Sequence, residues 1–119
     1  VEIAAGCFAA MTSLKSIELP TSVTEFGFWL FQYCSSLTSI TLHDNYKEVK
    51  PSDFYGCSSL SSIVLPSTVT SIGNNAFNTC QSLTSINLEN VKEYGVYCFY
   101  DSGITKEKYP HLPDHCFWW

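Results

Sequence analysis

The side chains with the most chemistry to offer are six cysteines and three histidines, and their spacing decides what kind. Cys34, Cys57 and Cys80 recur every 23 residues, with Met11 in the same register before them. An even cysteine number in a short chain suggests a disulfide framework. This column argues against one, because methionine replaces a buried hydrophobe well and cannot cross-link. On neighbouring rungs of a parallel repeat the Cα atoms would lie about 4.8 Å apart, within disulfide reach. Stacked Cβ vectors run parallel there and do not converge. A buried ladder of free thiols is therefore expected. Cys7 and Cys98 share a second column with Leu30, Asp53 and Ala76 between them. They are several rungs apart, and no bond joining them is expected. Cys116 falls outside both columns and is expected to be the exposed thiol. Such usage leans away from a disulfide-stapled secreted domain without fixing the compartment.

His111, Asp114, His115 and Cys116 contain the H-x3-H spacing of some zinc sites. That spacing needs a helix to bring both rings to one face. Pro110 and Pro113 oppose a regular helix here, and no second ligand pair matches, so a surface or capping loop is the expectation. Nucleophilic catalysis needs a base beside a cysteine or serine and a third group to orient it. His43 is the one histidine of the repeat body, beside Asp44 at an expected exposed strand end, while the cysteines should point inward. Neither a phosphate-binding glycine loop nor a paired-carboxylate motif stands out. The expectation is a non-enzyme with no cofactor and no metal.

The elements that position these residues come from an internal repeat. Phe8, Phe31, Phe54 and Phe77 are spaced by 23, and Phe99 follows after 22. Leu14, Leu37, Leu60 and Leu83 keep the same register, as do Ile17, Ile40, Ile63 and Ile86, then Leu19, Leu42, Leu65 and Leu88. A later apolar pair closes each unit: Val23 and Phe26, Tyr46 and Val49, Val69 and Ile72, Val91 and Tyr94. Ile3 lies 23 residues before Phe26, so the chain opens at Val1 within a partial unit and without an initiator methionine. That is expected of a piece of something longer. No single unit can enclose its own apolar side chains, but stacked units align identical columns into a continuous core.

Each S-I-x-L segment alternates polar and apolar residues and suits a short strand. Pro20 and Pro66 follow two of them and should end the pairing, since proline has no N–H to give. The glycine and asparagine of Gly73–Ala76 mark a turn, with a helical turn through Ala76–Cys80 as a candidate too short to stand alone. Alternation points isoleucine and leucine inward and leaves three outward rows. The first is Ser16, Ser39, Ser62 and Ser85. The second is Glu18, Thr41, Val64 and Asn87, and the third is Pro20, His43, Pro66 and Glu89. From these rows Glu18, Thr41, Val64, Asn87, His43 and Glu89 are the candidate partner-binding residues. Serine and threonine could equally serve only to keep an exposed sheet soluble. Tyr33, Tyr55 and Tyr100 form another candidate row on the turns, since tyrosine is a common interface anchor.

Composition narrows the partner. Hydrophobic residues are 45% and charged residues only 14%, with a net charge of -5. Six lysines and no arginine make no basic stripe for a phosphate backbone, so nucleic acid is excluded as an expectation. No apolar run approaches the roughly 18 residues of a membrane span, so no membrane insertion is expected in this segment.

The run Phe54-Tyr55-Gly56-Cys57-Ser58-Ser59-Leu60-Ser61-Ser62-Ile63-Val64-Leu65-Pro66, followed by Val69-Thr70-Ser71-Ile72-Gly73 and by Ala76-Phe77, resembles the BspA-type leucine-rich repeats. The resemblance covers residues 1–104, about four full units with partial ends. It departs from the pattern at His43-Asp44-Asn45-Tyr46-Lys47 and at Lys50-Pro51. Residues 105–119 abandon it and form a C-terminal cap or tail, whose Phe117-Trp118-Trp119 must be covered by something. The resemblance implies adhesion to host proteins or to other cells by a cell-surface or secreted protein, and it brings no catalytic residues. The expected fold is a β-rich, right-handed leucine-rich-repeat solenoid, with a parallel sheet and short irregular or 3-10 connections. Its expected work is protein binding through the strand face. A structural spacer is one alternative. End-to-end assembly into a homo-oligomer through open strand edges is another.

Overall fold

The computed structural model describes residues 2–118. Within them the chain is a stack of rungs measuring 38 × 28 × 20 Å. The strands are β1 (Glu2–Ile3), β2 (Ser16–Glu18), β3 (Glu25–Phe26), β4 (Ser39–Thr41), β5 (Ser62–Ile63), β6 (Ser71–Ile72), β7 (Ser85–Ile86) and β8 (Glu93–Tyr94). The expected S-I segments pair in parallel, Ile17 opposite Ile40 and Ile63 opposite Ile86. This ladder is interrupted between β4 and β5. The break falls beside unit 2, where the proline-centred turn is missing. There the Asn45 amide instead donates to the carbonyls of Pro20, Thr21 and Val23.

The connection is more regular than the sequence suggests. The apolar pair that closes each unit lies on a second parallel ladder, Ile3 opposite Phe26 and Ile72 opposite Tyr94, with Val49 bridged to Ile72. Two-residue strands are too short for alternation to reveal them.

A third set of rung-to-rung bonds runs through the turns. The amides of Phe8, Phe31, Phe54 and Phe77 donate to the carbonyls of Leu30, Asp53, Ala76 and Cys98 at 2.8–3.1 Å. Two residues before each phenylalanine the backbone is left-handed, at Gly6, Trp29, Ser52, Asn75 and Tyr97. Two residues after, it is left-handed again, at Ala10, Tyr33, Gly56, Thr79 and Asp101. The reversal at Thr79 breaks the candidate helical turn over Ala76–Cys80, leaving separate turns in its place.

The core follows the columns. Phe8, Phe31, Phe54, Phe77 and Phe99 stack nearly flat, with centroids 5.3–5.6 Å apart and planes within 13°. Leu37, Leu60 and Leu83 are fully enclosed, as are Cys34, Cys57 and Cys80. The first rung is more open, and Met11 in the cysteine column is 46% exposed.

Cys116 corrects the sequence reading: it is buried, and Cys7 is the exposed thiol. The cause is the packing of residues 105–118 on the last rung. Phe117 adds a tilted ring to the phenylalanine stack, 6.4 Å from Phe99, and carries its neighbour Cys116 beneath it. The Phe99 amide donates to the Cys116 carbonyl at 3.0 Å. The Ile86 amide meets the Tyr109 hydroxyl at 3.3 Å, as it would meet another strand. Ile104 is buried beneath this segment and Leu112 within it, while Trp118 stays half exposed.

Candidate functional site

The candidate face lies along the first ladder, and its scaffold fixes where each side chain points. Glu18 and Thr41 stand opposite each other in β2 and β4, flanked by half-buried Ile17 and Ile40 that face the core. Val64, one residue beyond β5, is 76% exposed although Ile63 and Leu65 on either side of it are buried. Such a residue gains nothing for the fold where it stands.

The six predicted residues have different surroundings. Glu18 and His43 meet each other, Oε2 to Nε2 at 3.0 Å, so the histidine pairs with a carboxylate one rung away and not with Asp44. Asn87 is tied to the preceding rung. Its Oδ1 accepts from the Leu65 amide at 2.7 Å and its Nδ2 donates to the Leu65 carbonyl at 2.9 Å. Thr41, Val64 and Glu89 are exposed. The face therefore divides into a hydrogen-bonded Glu18–His43 pair on the early rungs, an uncharged centre at Thr41 and Val64, and a stapled asparagine beside Glu89. An open hollow of about 430 Å³ adjoins the last part, lined by Asn87, Glu89, Val91, Tyr109 and His111. A larger one, of about 480 Å³, lies on the second ladder between Glu2, Glu25 and Glu48.

Tyr33 and Tyr100 are about half exposed, and Tyr55 less so. Tyr33 packs edge-on against Tyr55 with centroids 5.5 Å apart. Sequence reasoning missed Phe28 and Trp29, both 49% exposed. Their columns otherwise hold Ala5, Pro51, Asn74 and Val96, and Gly6, Ser52, Asn75 and Tyr97, so two adjacent bulky aromatics on one turn were the available signal.

The reactive side chains are otherwise engaged. The thiols of Cys34, Cys57 and Cys80 donate to the carbonyls of Phe8, Phe31 and Phe54 at 2.9–3.1 Å. Burial pushes the Cys80 thiol up to about 12 and raises those of Cys34 and Cys57, which keeps all three protonated and unreactive. His115 contacts the Tyr94 carbonyl at 2.8 Å, and Asp114 pairs with Lys106 at 2.8 Å. The H-x3-H segment thus spends two of its groups on packing the chain end. Among the described residues no group of three or more His, Cys, Asp or Glu is placed to hold a metal ion. No helix there is long and apolar enough to cross a membrane.

Repeat length, cysteine column and triple ladder together define a leucine-rich-repeat solenoid. The family model described as the BspA-type leucine-rich repeat region matches residues 1–118 in six copies, and the chain belongs to that family. Among solved structures it is similar to a leucine-rich repeat protein of T. pallidum, at 34% identity and a TM-score of 0.79 over 88% of this chain. A leucine-rich repeat protein of Eubacterium ventriosum is 27% identical with a TM-score of 0.69 over 87% of this chain. A leucine-rich cell surface protein of Faecalibacterium prausnitzii shares the fold, at 24% identity and a TM-score of 0.70 over 92%. The chain spans 50%, 34% and 31% of those three proteins respectively. No curated protein sequence matches it closely.

Proposed function

We propose that this chain is a non-catalytic protein-binding and adhesive module of a cell-surface or secreted protein. Its partner is a protein, of the host or of another cell surface, that docks on the strand face. The docking residues are Glu18, Thr41, Val64, Asn87, His43 and Glu89. The observation that carries this reading is Val64, 76% exposed at the centre of a weakly charged sheet. A rigid, flat surface loses little entropy on binding, and a central apolar residue ringed by polar ones is how protein interfaces concentrate their affinity. The description of the F. prausnitzii protein as a cell surface protein supports the location. The test is photo-crosslinking from a benzophenone side chain placed at Thr41 or at Val64, with Ser22 as control. Capture of one protein from the face positions and not from Ser22 is expected.

The alternatives are end-to-end assembly through strand edges, which predicts concentration-dependent oligomers in light scattering, and a structural spacer, which predicts neither oligomers nor crosslinks.

A further inference from the structure

The six thiols divide by what each one faces. Cys34, Cys57 and Cys80 each point at a carbonyl 26 residues earlier, on regular rungs whose side chains run parallel. Cys7 is exposed. Cys98 and Cys116 are fully buried and face each other as hydrogen-bond partners.

The backbone explains why these two converge. In a regular step the amides of Asn75 and Phe77 reach the carbonyls of Val96 and Cys98, two residues apart on each side. In the last step the amides of Tyr97 and Phe99 reach His115 and Cys116, which are consecutive. Two residues of spacing on one rung are matched by one on the next, so the side chains cannot keep parallel directions. The 31° tilt of Phe117 against Phe99 records the same change, where earlier ring pairs lie within 13°. The obstacle to a disulfide within the cysteine column is therefore absent at this step.

We propose that Cys98 and Cys116 are a redox latch, an intramolecular disulfide site that fastens the C-terminal segment to the last full rung. The oxidant is a low-molecular-weight disulfide. The thiolate of one cysteine attacks it, forms a mixed disulfide and releases one small thiol. The second cysteine's thiolate then attacks the protein-bound sulfur, closes the Cys98–Cys116 bond and releases the second small thiol. Two electrons pass from the protein to the small disulfide, and the two cysteine protons end on the released thiols. Cys116 is the attacking group. Its thiolate is favoured by a hydrogen bond from Cys98 and by the nearby Lys106 ammonium, while Cys98 is held protonated. Both sulfurs are enclosed, so the first step requires the segment to lift, and the bond then keeps it down. Reduced, the segment is held to the repeat body by contacts such as His115 to the Tyr94 carbonyl and Lys108 to the Thr84 carbonyl. Its release would uncover Phe99 and Ile104, which are otherwise buried.

The test uses Cys7→Ser, which removes the exposed thiol, incubated with oxidised glutathione with and without urea below the global unfolding midpoint. The expected product is monomeric and lighter by about two hydrogens. Tryptic peptides 93–106 and 109–119 should be joined, with Cys34, Cys57 and Cys80 still alkylatable. Its melting temperature should rise by at least about 5 °C, and dithiothreitol should reverse the rise. Cys98→Ser and Cys116→Ser, each made in the Cys7→Ser background, should show neither the joined peptides nor any rise in melting temperature on oxidation, whatever their starting stability. Thiols that all stay free in sub-denaturing urea would overturn the latch, as would a bond joining any other pair.

Discussion

The Tyr46 hydroxyl donates to the Asp53 carboxylate at 2.8 Å inside the core, where both residues interrupt apolar columns. Tyr46 stands where other units have Val23, Val69 and Val91, and Asp53 where they have Cys7, Leu30, Ala76 and Cys98. The tyrosine brings a hydroxyl into a dry site, and the carboxylate gives it an acceptor. Asp53 also accepts from the amides of Leu30 at 3.2 Å and Lys50 at 3.1 Å, which locks the turn between two rungs. The irregular sequence of unit 2 is thus compensated within the fold.

That compensation has a pH signature. Burial raises the Asp53 carboxyl from 3.8 to about 6, against the opposing pull of its hydrogen bonds. The folded state binds this proton more tightly than the unfolded chain, so the stabilisation is full below about pH 4 and is lost as pH rises through 6. Stability from this group should fall by about 3 kcal/mol across that window. Asp53→Asn should flatten this dependence and gain about 1–2 kcal/mol at neutral pH, measured by urea denaturation. An unchanged pH profile would contradict the buried-carboxylate assignment.

The stacked rings should carry much of the core. Phe54 packs between Phe31 and Phe77 at 5.4 and 5.3 Å and is wholly buried. Phe54→Ala should cost about 3–5 kcal/mol in equilibrium denaturation, as large-to-small changes do in rigid cores. A loss below about 1 kcal/mol would mean that the column collapses freely.

The left-handed turn positions predict opposite effects of glycine. Ser52 holds a φ of 58°, a conformation that costs an L-residue about 1 kcal/mol, so Ser52→Gly should be neutral or stabilising. Gly56 has a φ of 77°, and a Cβ there would sit 2.6 Å from the Tyr33 ring. Gly56→Ala should lower the melting temperature by about 5 °C or more in calorimetry. Equal melting temperatures for the two variants would contradict the turn geometry.

On the strand face, exposure and structural duty separate cleanly. Asn87→Ala leaves the Leu65 amide without its acceptor and should cost about 1 kcal/mol by thermal denaturation. Val64→Ser should change stability by less than about 0.5 kcal/mol. A reversed order would show the face oriented the other way.

The columns of Phe8, Leu14 and Ile17 made the solenoid legible in the sequence, because identical side chains at a fixed period can only be buried by stacking. The same logic found the free thiols of Cys34, Cys57 and Cys80. It failed where a local exchange overrode the period. The second ladder escaped notice because Glu25–Phe26 and its counterparts are too short to alternate. Cys116 was misjudged because its spacing from Cys98 is 18 residues, not 22 or 23, and only the packing of Phe117 places it under the last rung. Of the candidate site, the outward rows were readable from alternation alone. The Glu18–His43 pair and the Asn87 staple were not, since both depend on side chains meeting across rungs.

The most direct measurement is partner capture from surface-labelled cells by immobilised wild-type protein and by the Thr41→Lys/Val64→Glu double variant, with both melting curves recorded. Binding through the strand face predicts at least about a tenfold loss of capture, equivalent to about 1.4 kcal/mol, with the melting temperature nearly unchanged. Undiminished capture by a folded double variant would contradict it and move the contact to the tyrosine row on the turns.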